Sequence, residues 1–271
     1  MVSQNESEEP EAGGGSKLRQ SMPYLIGGVG VLSFVALWQA LAVFNAVPFL
    51  PSFTDSLLGL IQVVLYEDLG LHIVHSVIRI ALGFGTALLV GIPLGLAIGR
   101  WSVVNHFSKP VIQAVRFIPP LAVLPLALVV IGSPEGTAVF IIWFAVLFPV
   151  LIGTEAGVHR TQLVHVEVAQ SFGASQWQVL EKVTLPSALP EILAGARVGL
   201  GVGWMSLVAA EMVAAGGGTG LGYLIMNLYS VGRYSMMVGV ILVLALIGFL
   251  MNEGFSFFER YTLRYRQFIV Q

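Results

Sequence analysis

The sequence has no cysteine, and only three of its 13 basic residues are lysines. The first absence excludes disulfides, thiolate metal sites and a cysteine nucleophile. None of Lys17, Lys109 and Lys182 follows a glycine, so the Gly-Lys-Ser/Thr element with which backbone amides and a lysine hold nucleotide phosphates is missing. Neither Gly-x-Ser-x-Gly nor His-Glu-x-x-His occurs, which removes two common signs of hydrolytic chemistry. Charge of either sign is scarce: 10% of residues are charged, against about 25% in soluble globular domains. The net charge of −2 offers nothing to nucleic acid.

What fills the chain instead is apolar. Hydrophobic residues make up 56% of it and the mean hydropathy is +0.86, values of an integral membrane protein. A helix needs about 20 largely apolar residues to cross the hydrocarbon core. Six stretches meet or approach that length: 24–44, 74–99, 110–131, 137–153, 192–215 and 235–258. The expected fold is therefore all-α, multi-pass and six-spanning, with membrane lipid as its surroundings and both termini on one side. Placing that side in the cytoplasm gathers Lys17, Arg19, Arg100, Lys109, Arg160, Lys182, Arg197, Arg260, Arg264 and Arg266 there and leaves Arg79 and Arg233 outside, as the positive-inside rule requires. Arg116 falls near the inner end of the third span.

Polar segments fill the gaps. Residues 1–20 are acidic and Gly-rich and read as a disordered cytoplasmic tail ahead of a membrane domain over 21–271. The connection between spans one and two is apolar enough for a short interfacial helix. "GSPEG" makes a tight outer turn between spans three and four, and "GGGTGLG" at 216–222, which fails the G-x-G-x-x-G spacing, reads as a flexible connection after span five.

The polar loop at about 154–191 stands out. Residues 154–172 read as one helix ended by Gly173, and Ser175 with Gln178 forms a capping box that starts a second helix. Pro186 is expected to end it and Pro190 to open the fifth span. Trp177, Val179 and Leu180 are then apolar residues in a water-facing loop, either a docking surface or packing on the inner helix ends.

Glu167, Ala169, Gly173, Val183, Leu185 and Pro186 have the spacing of a known motif. It resembles the EAA loop of the membrane subunits of bacterial binding-protein-dependent ABC importers, with Val168 and Val183 replacing an Ala and an Ile. "RFIPPLAVLPLAL", "ASQWQVLEKVTLPSALPEILAGARVGLGVGW" and "VAAEMVAAGGGTGLGYLI" look like the nitrate, sulfonate, taurine and bicarbonate group of these permeases. The resemblance implies a type I importer permease fold in the bacterial inner membrane and a small anionic solute as cargo. A different small solute such as a vitamin precursor, or a secondary transporter, is the alternative. It also implies a second copy of the chain, a cytoplasmic ABC ATPase dimer that carries the ATP and Mg, an extracytoplasmic substrate-binding protein, and no cofactor in this chain. Glu167, Ala169, Gly173, Ala174, Ser175, Trp177, Leu180, Leu185 and Pro186 form the expected ATPase-coupling loop.

Charges and prolines inside spans are the other candidates. Glu211 belongs either to a structural network or to a gate, and Arg79 to the outer start of span two as an anion attractor. Arg116, Pro119 and Pro120 are pathway candidates, because prolines break helices where a cavity can accept the freed backbone. Two glycine series, Gly91, Gly95, Gly99 and Gly195, Gly199, Gly203, mark close helix contacts, within one chain or between two.

With no phosphate-binding loop, the purified chain in lipid should hydrolyse no ATP. Phosphate release above background from the chain alone would overturn this reading.

Overall fold

A computed structural model of the protein describes residues 15–214 and 218–267, and every regular element among them is helical. Residues 1–14 of the expected tail lie outside the described residues, and residues 15–20 already belong to the first helix. The helices are α1 (Gly15–Val43), α2 (Phe53–Tyr66), α3 (Leu69–Arg100), α4 (Ser102–Val115), α5 (Pro120–Ile131), α6 (Pro134–His159), α7 (Leu163–Ser171), α8 (Gln176–Val179), α9 (Leu185–Ala214), α10 (Leu221–Ser230) and α11 (Tyr234–Gln267). Five helical runs are long and apolar enough to cross a membrane: α1, α3, α6, the run from α8 through α9, and α11.

The stretch expected as the third span is not one helix. It divides into α4 and α5, which meet at 98°. Pro119 and Pro120 supply no backbone N–H, and each disfavours helical geometry in the residue before it, so the chain turns at 116–119. Counted as one bent span, the pair makes the sixth. The short helix expected between spans one and two is α2, capped by the Ser52 side chain.

Two expectations for the polar loop are corrected. The single helix expected over 154–172 is broken at 160–162, between α6 and α7. Its packing explains the break: Gly157 and Val158 are the last residues of α6 held in the bundle, and beyond them Arg160 leaves to pair with Glu191 of α9. Pro186 does not end a helix, and Pro190 does not begin one. Gln176–Val213 is continuous, because a π-helical turn at Leu180–Thr184 widens the ladder just before Pro186. There the Leu185 N–H bonds to the Leu180 carbonyl, a spacing that takes the chain past a residue with no donor.

The core is built around α6, which lies between α3 and α9. Gly83, Ala87, Gly91, Gly95 and Gly99 recur every fourth residue, which gives α3 a side without protruding side chains. A Cβ on Gly95 would lie 2.5 Å from the Cβ of Thr154, and one on Gly99 2.6 Å from the Cβ of Val158. On the other flank, a Cβ on Gly195 would lie 2.6 Å from the Pro149 carbonyl oxygen, and one on Gly203 2.7 Å from Val146. Both glycine series thus make contacts within one chain. Ile142, Val146 and Val150 are completely buried between them. A second close approach joins α2 and α11 through Gly59 and Gly239.

Gly95→Val should therefore destabilise the chain by about 1–3 kcal/mol or more, as overpacking does. Gly85→Ala, whose new methyl meets nothing within 4 Å, should not. Thermal unfolding in detergent checks the pair, and equal midpoints would contradict this packing.

Candidate functional site

Three features gather the polar and exposed residues: a hairpin at one end of the bundle, a cavity along its side and a buried ion network at the opposite end.

The hairpin is α7, a tight turn and α8. Gly173 has φ of +84°, the left-handed region in which a side chain is penalised. Its N–H bonds to the Gln170 carbonyl at 2.9 Å, and the next N–H, of Ala174, bonds to the Ala169 carbonyl at 3.0 Å. This is a Schellman closure, which satisfies the carbonyls left free at the end of α7. Small residues at 169 and 174 sit across that closure. The expected capping box follows: Ser175 accepts the Gln178 N–H, and Gln178 Oε1 accepts the Ser175 N–H at 2.8 Å.

The faces of the hairpin divide cleanly. Phe172 is 88% exposed and Trp177 68%, with Leu163, Val164 and Val168 also exposed on α7. Glu167 is exposed as well. Val179, expected among the exposed residues, is instead fully buried, and Leu180 is half-buried. Leu185 packs with Val158, Ala188 and Ile192 at the root of the hairpin, and Pro186 is half-buried beside it. One polar link ties the hairpin to the bundle, Arg100 at the end of α3 donating to Gln176 Oε1 at 2.5 Å, and a second at its root joins the end of α6 to α9 through Arg160 and Glu191. Gln176 and Glu191 carry no signal in the sequence that marks them as partners.

The cavity has a volume of about 530 Å3 and lies between the α4–α5 break, the second half of α6 and the first half of α9. Arg116 and Pro120 line it, as do Phe144, Phe148, Gly195 and Glu191. Pro119 caps α5 and is not part of the lining. The Arg116 guanidinium lies 4.9 Å from the centre of the Phe117 ring, close enough for a cation–π contact. Among the described residues Arg116 forms no ion pair.

At the far end of the bundle Arg79 and Glu211 meet in the interior, with side chains 6% and 1% exposed. Arg79 Nη1 donates to Glu211 Oε1 at 2.6 Å and to the Thr219 carbonyl at 2.6 Å, and its Nε donates to Glu135 Oε2 at 2.7 Å. Nη2 pairs with the other Glu135 oxygen. Glu211 also accepts from Ser76 Oγ at 2.8 Å and from the Gly222 N–H at 2.9 Å. Arg79 is thus enclosed by two carboxylates rather than presented to solvent as an anion attractor, and Glu211 sits in a network. The segment 218–222 is correspondingly not a loose connection: Gly220, at φ of +134°, donates its N–H to His72 Nδ1 at 2.9 Å. A Cβ there would fall 2.5 Å from Arg79 Nη1. Residues 215–217 lie outside the described residues. Glu135 as a partner of Arg79, Ser76 as a partner of Glu211 and His72 as a partner of Gly220 were not legible in the sequence, because only the fold joins them.

The family described as Binding-protein-dependent transport system inner membrane component matches residues 87–262. The taurine transport system permease protein TauC of Escherichia coli (strain K12) is 42% identical over 70% of this chain and 68% of its own length. The nitrate import permease protein NrtB of Synechocystis sp. is 34% identical over 71% of this chain and 70% of its own. The bicarbonate transport system permease protein CmpB of Synechococcus elongatus is 31% identical over 87% and 88%. In fold, a chain of the MetNI methionine ABC transporter in inward facing conformations aligns at a TM-score of 0.59 and 20% identity, covering 70% of this chain and 94% of that one.

Removing one member of a buried, hydrogen-bonded ion pair leaves the other uncompensated, at a cost of about 3–5 kcal/mol. Glu211→Ala should lower stability by that amount, and Glu135→Ala, at a carboxylate 59% exposed, by about 1 kcal/mol or less. Melting in detergent with both variants in parallel tests the difference, and similar losses would argue against it.

Proposed function

The chain belongs to the binding-protein-dependent transport system inner membrane components, as the permease subunit of an ABC importer, and we propose that it carries a small anionic solute of the taurine, nitrate and bicarbonate class into the cytoplasm. The hairpin end faces the cytoplasm in this reading. Arg100, Lys109, Arg160 and Lys182 lie at that end, whereas Arg79 and Arg233 lie at the other, in keeping with the positive-inside rule. Both termini are then cytoplasmic, in the bacterial inner membrane.

Two copies of the chain, related by a two-fold axis along the membrane normal, enclose the pathway between their cavities. An ATPase dimer, which holds the ATP and Mg, docks on the two hairpins. When it closes on ATP it draws the hairpins together. Movement passes into α9 directly, since α8 continues into it, and into α3 and α6 through Arg100–Gln176 and Arg160–Glu191. The pathway opens outward to a loaded binding protein, and hydrolysis returns it to the inward-facing state. The observation that carries this reading is the hairpin: an apolar surface, Phe172 and Trp177 foremost, held outside the spans by a Gly173 turn and a capping box.

Gly173→Asp puts a side chain on a left-handed residue at about 1–2 kcal/mol, with the damage confined to the hairpin. Together with Glu167→Ala and Trp177→Ala it should leave insertion and melting temperature close to wild type. Co-purification of the ATPase, or uptake per ATP hydrolysed in proteoliposomes, should fall several-fold. Normal ATPase binding and coupling in all three variants would remove the hairpin as the mechanical link.

A further inference from the structure

We infer that the cavity selects an organic anion, a sulfonate or carboxylate head on a short hydrocarbon body, over a compact inorganic oxyanion. The inference rests on the import function proposed above and on the cavity being its pathway. Its support is the chemistry of the wall. Only Arg116 and Glu191 among the lining residues carry charge, and the Glu191 carboxylate is already paired with Arg160. Among the described residues, no serine, threonine, asparagine, glutamine, tyrosine, histidine or lysine lines the cavity.

Nitrate, bicarbonate and the head of an organic sulfonate or carboxylate all carry their charge on two or three oxygens, so the Arg116 fork alone does not separate them. Entering the pathway between two such cavities, a bare oxyanion meets the Arg116 guanidinium of each copy and otherwise hydrocarbon, so the hydration it gives up is replaced only at Arg116. An organic anion bears the same cost at its head and gains at its body. Its head takes the planar donor fork of Arg116, which suits oxyanions. Its body lies against Phe117, Phe144 and Phe148, which come from the α4–α5 break and from successive turns of α6, and against Val198 and Val202 of α9. Arg116 is held at the edge of this apolar surface by its position over the Phe117 ring. Burial of the hydrocarbon body is then favourable where a bare oxyanion gains nothing. The volume of about 530 Å3 is within the range of pockets for small organic ligands.

The absence of cysteine makes a direct test clean. Val198→Cys places a single thiol in the cavity wall, and Phe172→Cys provides a reference thiol on the exposed hairpin. Each variant, reconstituted in lipid nanodiscs, is labelled with anionic sulfonatoethyl methanethiosulfonate and with its cationic trimethylammonioethyl counterpart. Relative to the reference site, the Val198→Cys variant should favour the anionic reagent by about tenfold, as charge focusing in a low-dielectric cleft gives. Adding Arg116→Gln should abolish that preference. 1-Pentanesulfonate should slow labelling of the cavity thiol, while nitrate and bicarbonate at the same concentration and ionic strength should not. Labelling without charge preference, or protection by nitrate or bicarbonate equal to that by pentanesulfonate, overturns the selectivity and leaves the importer reading standing. Failure of both reagents to reach the thiol removes the cavity as an aqueous pathway, and the inference falls with that reading.

Discussion

Backbone contact between α6 and its two neighbours is the constraint from which the rest of the molecule follows. In a hydrocarbon solvent apolar side chains gain little by leaving lipid for protein, so helices associate where small residues let their surfaces meet closely. Gly153 and Gly195 face each other, each occupying the space a Cβ of the other would need. On the other flank Gly95 and Gly99 accept Thr154 and Val158 of the same helix. Three helices so joined form one packed unit. The cavity wall, which α6 and α9 share, belongs to that unit.

The two ends of this body are fastened by different chemistry. At one end Arg79 joins α3 to α6 and α9 through Glu135 and Glu211, and the segment 218–222, buried from Gly220 onward, completes the set of donors and acceptors. A charge in that environment persists only when paired and hydrogen-bonded, and here every group has its partner. At the other end the links are exposed: Arg100 with Gln176 and Arg160 with Glu191. Exposed pairs contribute little to stability. Arg100–Gln176 orients the start of α8, and Arg160–Glu191 joins the end of α6 to the start of α9, without locking the hairpin into the bundle.

The cavity lies where regular helix fails. Two consecutive prolines turn the chain by 98° between α4 and α5, and the side chains at the turn, Arg116 and Phe117, face the space beside α6 and α9. Irregular backbone at membrane depth is tolerated where it borders a cavity rather than lipid. The break and the cavity therefore have one origin, a local backbone rule acting at a place the neighbouring helices leave open.

Composition alone determined that this chain is helical and membrane-embedded, because a backbone in lipid must satisfy its own hydrogen bonds and apolar runs of this length do so as helices. Local chemistry carried further: the Gly173 turn, the Ser175 capping box and the Gly132 turn after α5 depend on residues a few positions apart, and all three were legible. Pro186 misled for the opposite reason, since whether a proline ends a helix or is absorbed by a π-helical turn depends on what the helix packs against. The glycine periodicity announced close contacts but not with what, and only the fold assigned both series to α6. Arg79 and Glu211 are 132 positions apart, and neither carries any local mark of the other. Val179 and Trp177, apolar residues two positions apart in the same loop, could not be told apart until the bundle covered one and left the other bare. Pairings and exposures of that kind are properties of surfaces brought together, so tertiary structure alone decided them.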